Sequence, residues 1–194
     1  MENIASYISF IQEAEKLKSI LRTAWSSSGR EESTAEHSWR LALLAGVVLT
    51  EYPGLDGRKV LMMCLIHDMG EIYDGDISAA SLPDAGEKYQ MELDAVRQVF
   101  GLLPEGQQDE MMALWQEYND NSSPEAHLVK ALDKAETIIQ HNQGKNPPGF
   151  DYDFNLEYGA AYFKDDPFLQ QMRRQLDEET DKRWQEEKSR TKHT

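Results

Sequence analysis

Leu65-Ile66-His67-Asp68-Met69-Gly70-Glu71, followed closely by Tyr73-Asp74-Gly75-Asp76, is the stretch around which the chain is organised. Here an imidazole and a carboxylate stand side by side where the apolar run over 60–66 turns polar, at the edge of a core. Burying a carboxylate without a partner costs several kcal/mol or shifts its pKa until it neutralises. A divalent cation is one of the few partners that satisfies both groups.

Two further segments offer ligands. Ser33-Thr34-Ala35-Glu36 is a Ser-x-x-Glu capping box, and the helix it opens carries His37 in its first turn, ahead of the apolar Leu41, Leu44, Val47 and Val48. Residues 128–139 have helical periodicity, yet Asp133 falls on the apolar side, one turn after Val129 and close before Glu136. The candidate metal ligands are therefore His37, His67, Asp68 and Asp133. Two neutral imidazoles and two carboxylates balance a dication while leaving positions for water and substrate, which is a catalytic arrangement rather than a structural one. Taken singly, His67-Asp68 reads as a helix-end histidine beside an acid, and Asp133 as a surface acid paired with Lys130. It is the joint pattern that points to a metal.

The order His, then His-Asp, then a distant Asp resembles the HD-domain metal phosphohydrolases. Leu17-Lys18, Arg22-Thr23-Ala24-Trp25, the block 33–38, His67-Asp68-x-x-Glu71-x-x-x-Gly75-Asp76 and Ala131-Leu132-Asp133-Lys134 resemble in particular the 5′-deoxynucleotidase branch, over residues 17–168. That resemblance implies an all-α helical bundle and release of phosphate from deoxyribonucleoside 5′-monophosphates. It implies that Glu71 and Asp76 position or deprotonate the attacking water and protonate the leaving 5′ oxygen. Arg22 would hold the phosphate and Trp25 border the sugar or base, although in the related bacterial enzymes a tryptophan directly follows the arginine. Binuclear members use further histidines between the His-Asp pair and the last Asp; here only His127 lies there, which favours one metal ion. The resemblance points to cobalt or manganese, with magnesium possible, and the ligand set also suits nickel, zinc or iron. It further implies a homodimer, with the helices of the second half as the expected interface.

The bulk properties agree. At 194 residues the chain fits one domain, expected over 1–184 with a frayed tail over 185–194, and buries roughly 70% of the surface its unfolded form exposes. With 40% apolar and 28% charged residues it reads as globular, and its apolar runs fall far short of the ~20 residues a membrane helix requires. The single Cys64 and a start without a basic or apolar leader suggest the cytoplasm. A net charge of -15 argues against a nucleic-acid polymer as partner. A small nucleotide needs only a metal and one or two placed cations.

In chain order, Ile4, Ile8, Ile11, Ala14, Leu17 and Leu21 predict a first amphipathic helix ended by Arg22. The Ser26-Ser27-Ser28-Gly29 loop leads to the capped second helix, which stops at Pro53-Gly54. Asp56 and Asp84 are expected N-caps for a third and fourth helix, 111–118 reads as a fifth, and Ser123-Pro124 opens the sixth. A Pro-rich loop at 143–150, a short helix near 155–163 and a long helix opened by Asp166-Pro167 complete the chain. No strand pattern emerges, so the expected class is all-α. Trp39 and Trp115 are expected in the core, and His127, His141 and His193 as surface or packing residues. Besides the phosphomonoesterase, two readings stay open: a hydrolase of another nucleotide ester, and a non-catalytic nucleotide sensor, against which Glu71 and Asp76 argue.

Overall fold

In the computed structural model, which describes residues 3–77 and 84–191, helix α6 (Pro124–Gln143) is the element on which the others converge. Ser123 caps it, its hydroxyl accepting from the Ala126 N–H at 3.1 Å, and Pro124 occupies the first turn, where its missing N–H costs nothing. Leu128, Val129, Leu132 and Ile138 are buried along it, and so are Asp133, Glu136 and Thr137. A helix enclosed on nearly all sides is a core helix. Packed on it are α2 (Thr34–Val48), α3 (Gly57–Ile66), α5 (Glu105–Asp120), α8 (Pro167–Thr191) and strand β1 (Leu21–Trp25).

The helix starts are set by local chemistry. Ser33 and Glu36 form a reciprocal capping box on α2. Asp56 accepts from the Arg58 and Lys59 N–H groups at the head of α3, and Asp84 caps α4 (Ala85–Phe100) in the same way. Leu41, Val60, Met63, Phe100, Trp115 and Leu132 then fill the space between these helices, each wholly out of solvent. Burying each such side chain contributes roughly 1.5–3 kcal/mol. The short α7 (Asp153–Glu157) closes the far end against α8.

The bundle is all-α in class, with one departure. Residues expected to end the first helix and form a loop instead make an antiparallel hairpin, β1 with β2 (Glu31–Ser33), turned at Gly29 with φ 88°. Its inward positions include Arg22 and Glu32, so the apolar alternation that marks a strand is missing from the sequence. Helix α1 (Ile4–Ala14) ends early, and a 3-10 turn follows over Glu15–Lys18. The helix packs through Phe10 and Ala14 and the turn through Leu17, leaving Ile4, Ile8 and Ile11 exposed. Trp115 is buried as expected, whereas Trp39 is 61% exposed. With Leu43 and Val47, Trp39 forms an outward apolar stripe at four-residue spacing on α2. Helix α8 continues past Trp184, where fraying is expected, and His193 lies outside the described residues.

Directly behind the His-Asp pair, the 3-10 turn Met69–Glu71 lies against α4. A methyl group on Gly70 would stand 2.6 Å from Glu92 Cβ and 3.0 Å from its Cα. Gly70→Ala should therefore destabilise the fold by about 1–3 kcal/mol through overpacking. Gly106→Ala, the same change where no atom lies within 4 Å on α5, should hold or raise the melting temperature. Equal melting of Gly70→Ala and wild type would contradict this packing.

Candidate metal centre and substrate cavity

His67 is the C-cap of α3, and Asp68 follows it at φ -96°, ψ 13°, where the helix breaks. The His67 Nδ1–H donates to the Cys64 carbonyl at 2.9 Å, which leaves Nε2 as a lone pair. That atom is buried and has no hydrogen-bond partner. It faces Asp68 Oδ2 at 3.1 Å and Asp133 Oδ1 at 3.9 Å. From the first turn of α2, His37 brings its own Nε2 to 3.1 Å from Asp133 Oδ1 and 3.8 Å from Asp68 Oδ2. The ligand atoms of His37, His67 and Asp133 all lie within 4.8 Å of one another. An imidazole lone pair turned toward two carboxylates calls for positive charge between them, which a bound cation supplies.

The surroundings take up the outer atoms of His37 and Asp133. Tyr118 and Lys134 both donate to Asp133 Oδ2 at 2.9 Å, so Oδ1 alone faces the histidines. Behind His37, Glu136 Oε2 takes Nδ1, and Arg40 Nε holds the other Glu136 oxygen at 2.7 Å. The carbonyl of His67 accepts from Trp115 Nε1 at 3.2 Å, fixing the end of α3. Burial alone would push the Asp68 carboxyl up, and only positive charge beside it, on protonated His67 and His37 and on Arg22, holds it well below the usual range. With both imidazoles neutral, a bound cation takes the place of that charge. Asp133 is held low against its burial by Lys134, His37 and His67. Glu32, His37 and Glu136 also converge, but Arg22 and Arg40 already lie within ion-pair reach of those acids, so this group reads as support for His37.

A cavity of about 700 Å³ adjoins the cluster, large enough for a nucleotide, with Arg22, His67, Asp68, Glu71, Asp76 and Asp133 in its wall. Arg22 points in from β1, donating to Asp68 Oδ2 at 3.3 Å and to Thr137 Oγ1 at 3.1 Å. Glu71 is buried and accepts from Thr34 at 3.2 Å; burial, with Asp68 and Asp76 adding to it, pushes its carboxyl up to about 10. Tyr89, Phe150, Phe154 and Tyr158 supply aromatic surface. Trp25 is not in that wall: its ring meets Phe150 edge-on at 6.1 Å, and Phe150 is the lining residue. His141, expected as a surface or packing residue, is buried against Phe150 and Asn155 and also reaches the cavity. The supporting Thr34, Tyr118, Glu136 and Thr137 were not expected as site residues; for Glu136 the signal was its place one turn after Asp133 on the same helix face.

The HD domain family matches residues 14–173, a span that holds all four candidate ligands. The chain belongs to the HD domain family. The dipeptide His67-Asp68 stands within that span, at the break after α3. Among curated relatives, 5′-deoxynucleotidase HDDC2 of Bos taurus is 36% identical over 152 residues, covering 76% of this chain and 73% of that one. The protein of the same name from Dictyostelium discoideum is 36% identical over 154 residues, covering 75% and 80%. A crystal structure from Magnetospirillum magnetotacticum MS-1, named "Predicted metal-dependent phosphohydrolase", superposes with a TM-score of 0.80 at 31% identity, covering 94% of this chain and 97% of that one.

Because Glu136 fixes which nitrogen of His37 faces inward, Glu136→Gln should weaken binding of manganese or cobalt by roughly 10–100-fold in calorimetry. His67→Ala should abolish it. Unchanged affinity in Glu136→Gln would remove Glu136 from the support of the site.

Proposed function

We propose that this protein is a metal-dependent phosphohydrolase that releases inorganic phosphate from deoxyribonucleoside 5′-monophosphates. The observation that carries the reading is the orphaned His67 Nε2 facing two carboxylates beside a nucleotide-sized cavity. The names of the relatives, 5′-deoxynucleotidase and metal-dependent phosphohydrolase, supply the reaction class.

In this proposal His37, His67, Asp68 and Asp133 hold one divalent ion, cobalt or manganese ahead of magnesium, nickel, zinc or iron. Such an ion, when bound, polarises a phosphoryl oxygen and makes water a better nucleophile near neutral pH. The side chains do the rest. Arg22, oriented by Asp68 and Thr137, receives the phosphate from the hairpin side. Glu71 and Asp76 share the proton transfers: one accepts the proton of the attacking water, the other returns one to the leaving 5′ oxygen. Thr34 holds Glu71 in place for this. Phe150, Phe154 and Tyr158 offer flat apolar surface to the sugar and base, and Trp25 acts at one remove by backing Phe150.

The protein works, in this reading, as a cytoplasmic homodimer without membrane or nucleic-acid partners. Support for the setting is a lone buried thiol, Cys64, and among the described residues no helix long and apolar enough to cross a membrane. Support for the dimer is the exposed stripe Trp39, Leu43 and Val47, which lies on α2 rather than in the second half of the chain.

Purified protein given a panel of deoxyribonucleoside and ribonucleoside 5′-monophosphates should release phosphate when manganese or cobalt is supplied and not after chelation. Glu71→Gln should keep metal and nucleotide binding while turnover falls by about a hundredfold or more. Metal-independent release, or undiminished turnover in Glu71→Gln, would contradict the mechanism.

A further inference from the structure

Four lysine or arginine side chains line the cavity: Arg22, Lys88, Lys130 and Lys134. Three of them already face carboxylates. Arg22 lies 3.3 Å from Asp68 and 3.7 Å from Glu32, Lys134 lies 2.9 Å from Asp133, and Lys88 lies 3.3 Å from Glu92. Lys130 differs. Among the described residues it has no ion pair and no hydrogen bond, and its ammonium stands instead over aromatic faces, 4.1 Å from the Tyr118 ring centre and 5.9 Å from that of Tyr162. The Tyr118 hydroxyl is the group that donates to Asp133 Oδ2 at 2.9 Å. One ring therefore joins a candidate metal ligand to an unshared positive charge in the cavity wall.

The charge balance gives that ammonium a use. Two carboxylate ligands offset a dication, so the bound ion leaves nothing over for the roughly two negative charges of a phosphate monoester near neutral pH. Arg22 is divided between Asp68, Glu32 and Thr137. Lys130, by contrast, has three N–H donors and no acceptor. Contact with an aromatic face contributes only ~0.5–2 kcal/mol and leaves those donors unused.

We propose that Lys130 is a substrate-binding residue that donates to a non-bridging oxygen of the phosphate group. The assignment rests on the phosphohydrolase reading above and deepens it, adding a second cation, carried by α6, to the Arg22 carried by the hairpin. It selects for a terminal phosphate, whose free oxygens a compact ammonium can reach, over the neutral part of the ligand.

The test uses inorganic phosphate as probe on the full chain loaded with manganese. Charge-assisted hydrogen bonds of this kind change affinity by roughly 10–100-fold. Phosphate binding, measured by calorimetry, should weaken by that factor in Lys130→Met and in the uncharged Lys130→Gln, and recover substantially in Lys130→Arg. Manganese affinity and binding of a deoxynucleoside without phosphate should not move. Unchanged phosphate affinity in a cooperatively melting Lys130→Met or Lys130→Gln would overturn the assignment. So would a parallel loss of manganese affinity, since Lys130 would then be acting through Tyr118 and Asp133. Undetectable phosphate binding by the wild type would overturn it as well. The nucleotidase reading is judged separately, by phosphate release from deoxynucleotides: wild type that binds phosphate through Lys130 but hydrolyses none would defeat that reading and leave Lys130 assigned.

Discussion

A buried imidazole nitrogen that no protein group satisfies is the constraint on which the site depends. Because His67 spends Nδ1–H on the Cys64 carbonyl, Nε2 must look outward from α3, and what it meets is the oxygens of Asp68 and Asp133. Those groups do not attract one another without a positive charge between them. Around them the protein has placed supports on the outward atoms: Tyr118 and Lys134 on the outer oxygen of Asp133, Glu136 on the outer nitrogen of His37, Trp115 on the His67 carbonyl. Removal of one support misaims a ligand and costs less than removal of the ligand itself.

Helix α6 makes this arrangement possible. Asp133, Glu136 and Thr137 fall on one side by the three- and four-residue spacing of a helix, which brings a candidate ligand, the carboxylate behind His37 and an Arg22 partner to one place. Leu128, Leu132 and Ile138 bury the same helix in the bundle, so the polar side cannot rotate away without exposing the apolar one. The hairpin adds Arg22 from a different direction. Its turn and pairing hold a guanidinium in the wall of the site that a helix ending there would have aimed elsewhere.

How much of this the sequence disclosed follows from the range of the forces involved. Helix starts were legible because caps are local: Ser33 with Glu36, Asp56, Asp84 and Ser123 each satisfy N–H groups within three residues. The four candidate ligands stand out in the sequence because imidazole and carboxylate types beside apolar runs are rare without a reason, and the structure brings them together. The hairpin was hidden, since its inward Arg22 and Glu32 serve the site rather than the core. Trp39 was misread because an aromatic in a helix usually packs, and only the rotation of α2 against its neighbours decides which face does. The aromatic wall of Phe150, Phe154 and Tyr158 left no signal at all, since a loop and a short helix place it by tertiary contact alone.

The central claim, that His37, His67, Asp68 and Asp133 surround one divalent ion, is tested most directly by anomalous diffraction at the manganese or cobalt edge from crystals grown with that metal. The account predicts a single strong peak within bonding distance of His37 Nε2, His67 Nε2 and Asp133 Oδ1, with Asp68 as the fourth ligand. A crystal with ordered side chains and no peak there, or with its peak among Glu32, His37 Nδ1 and Glu136 instead, would contradict it.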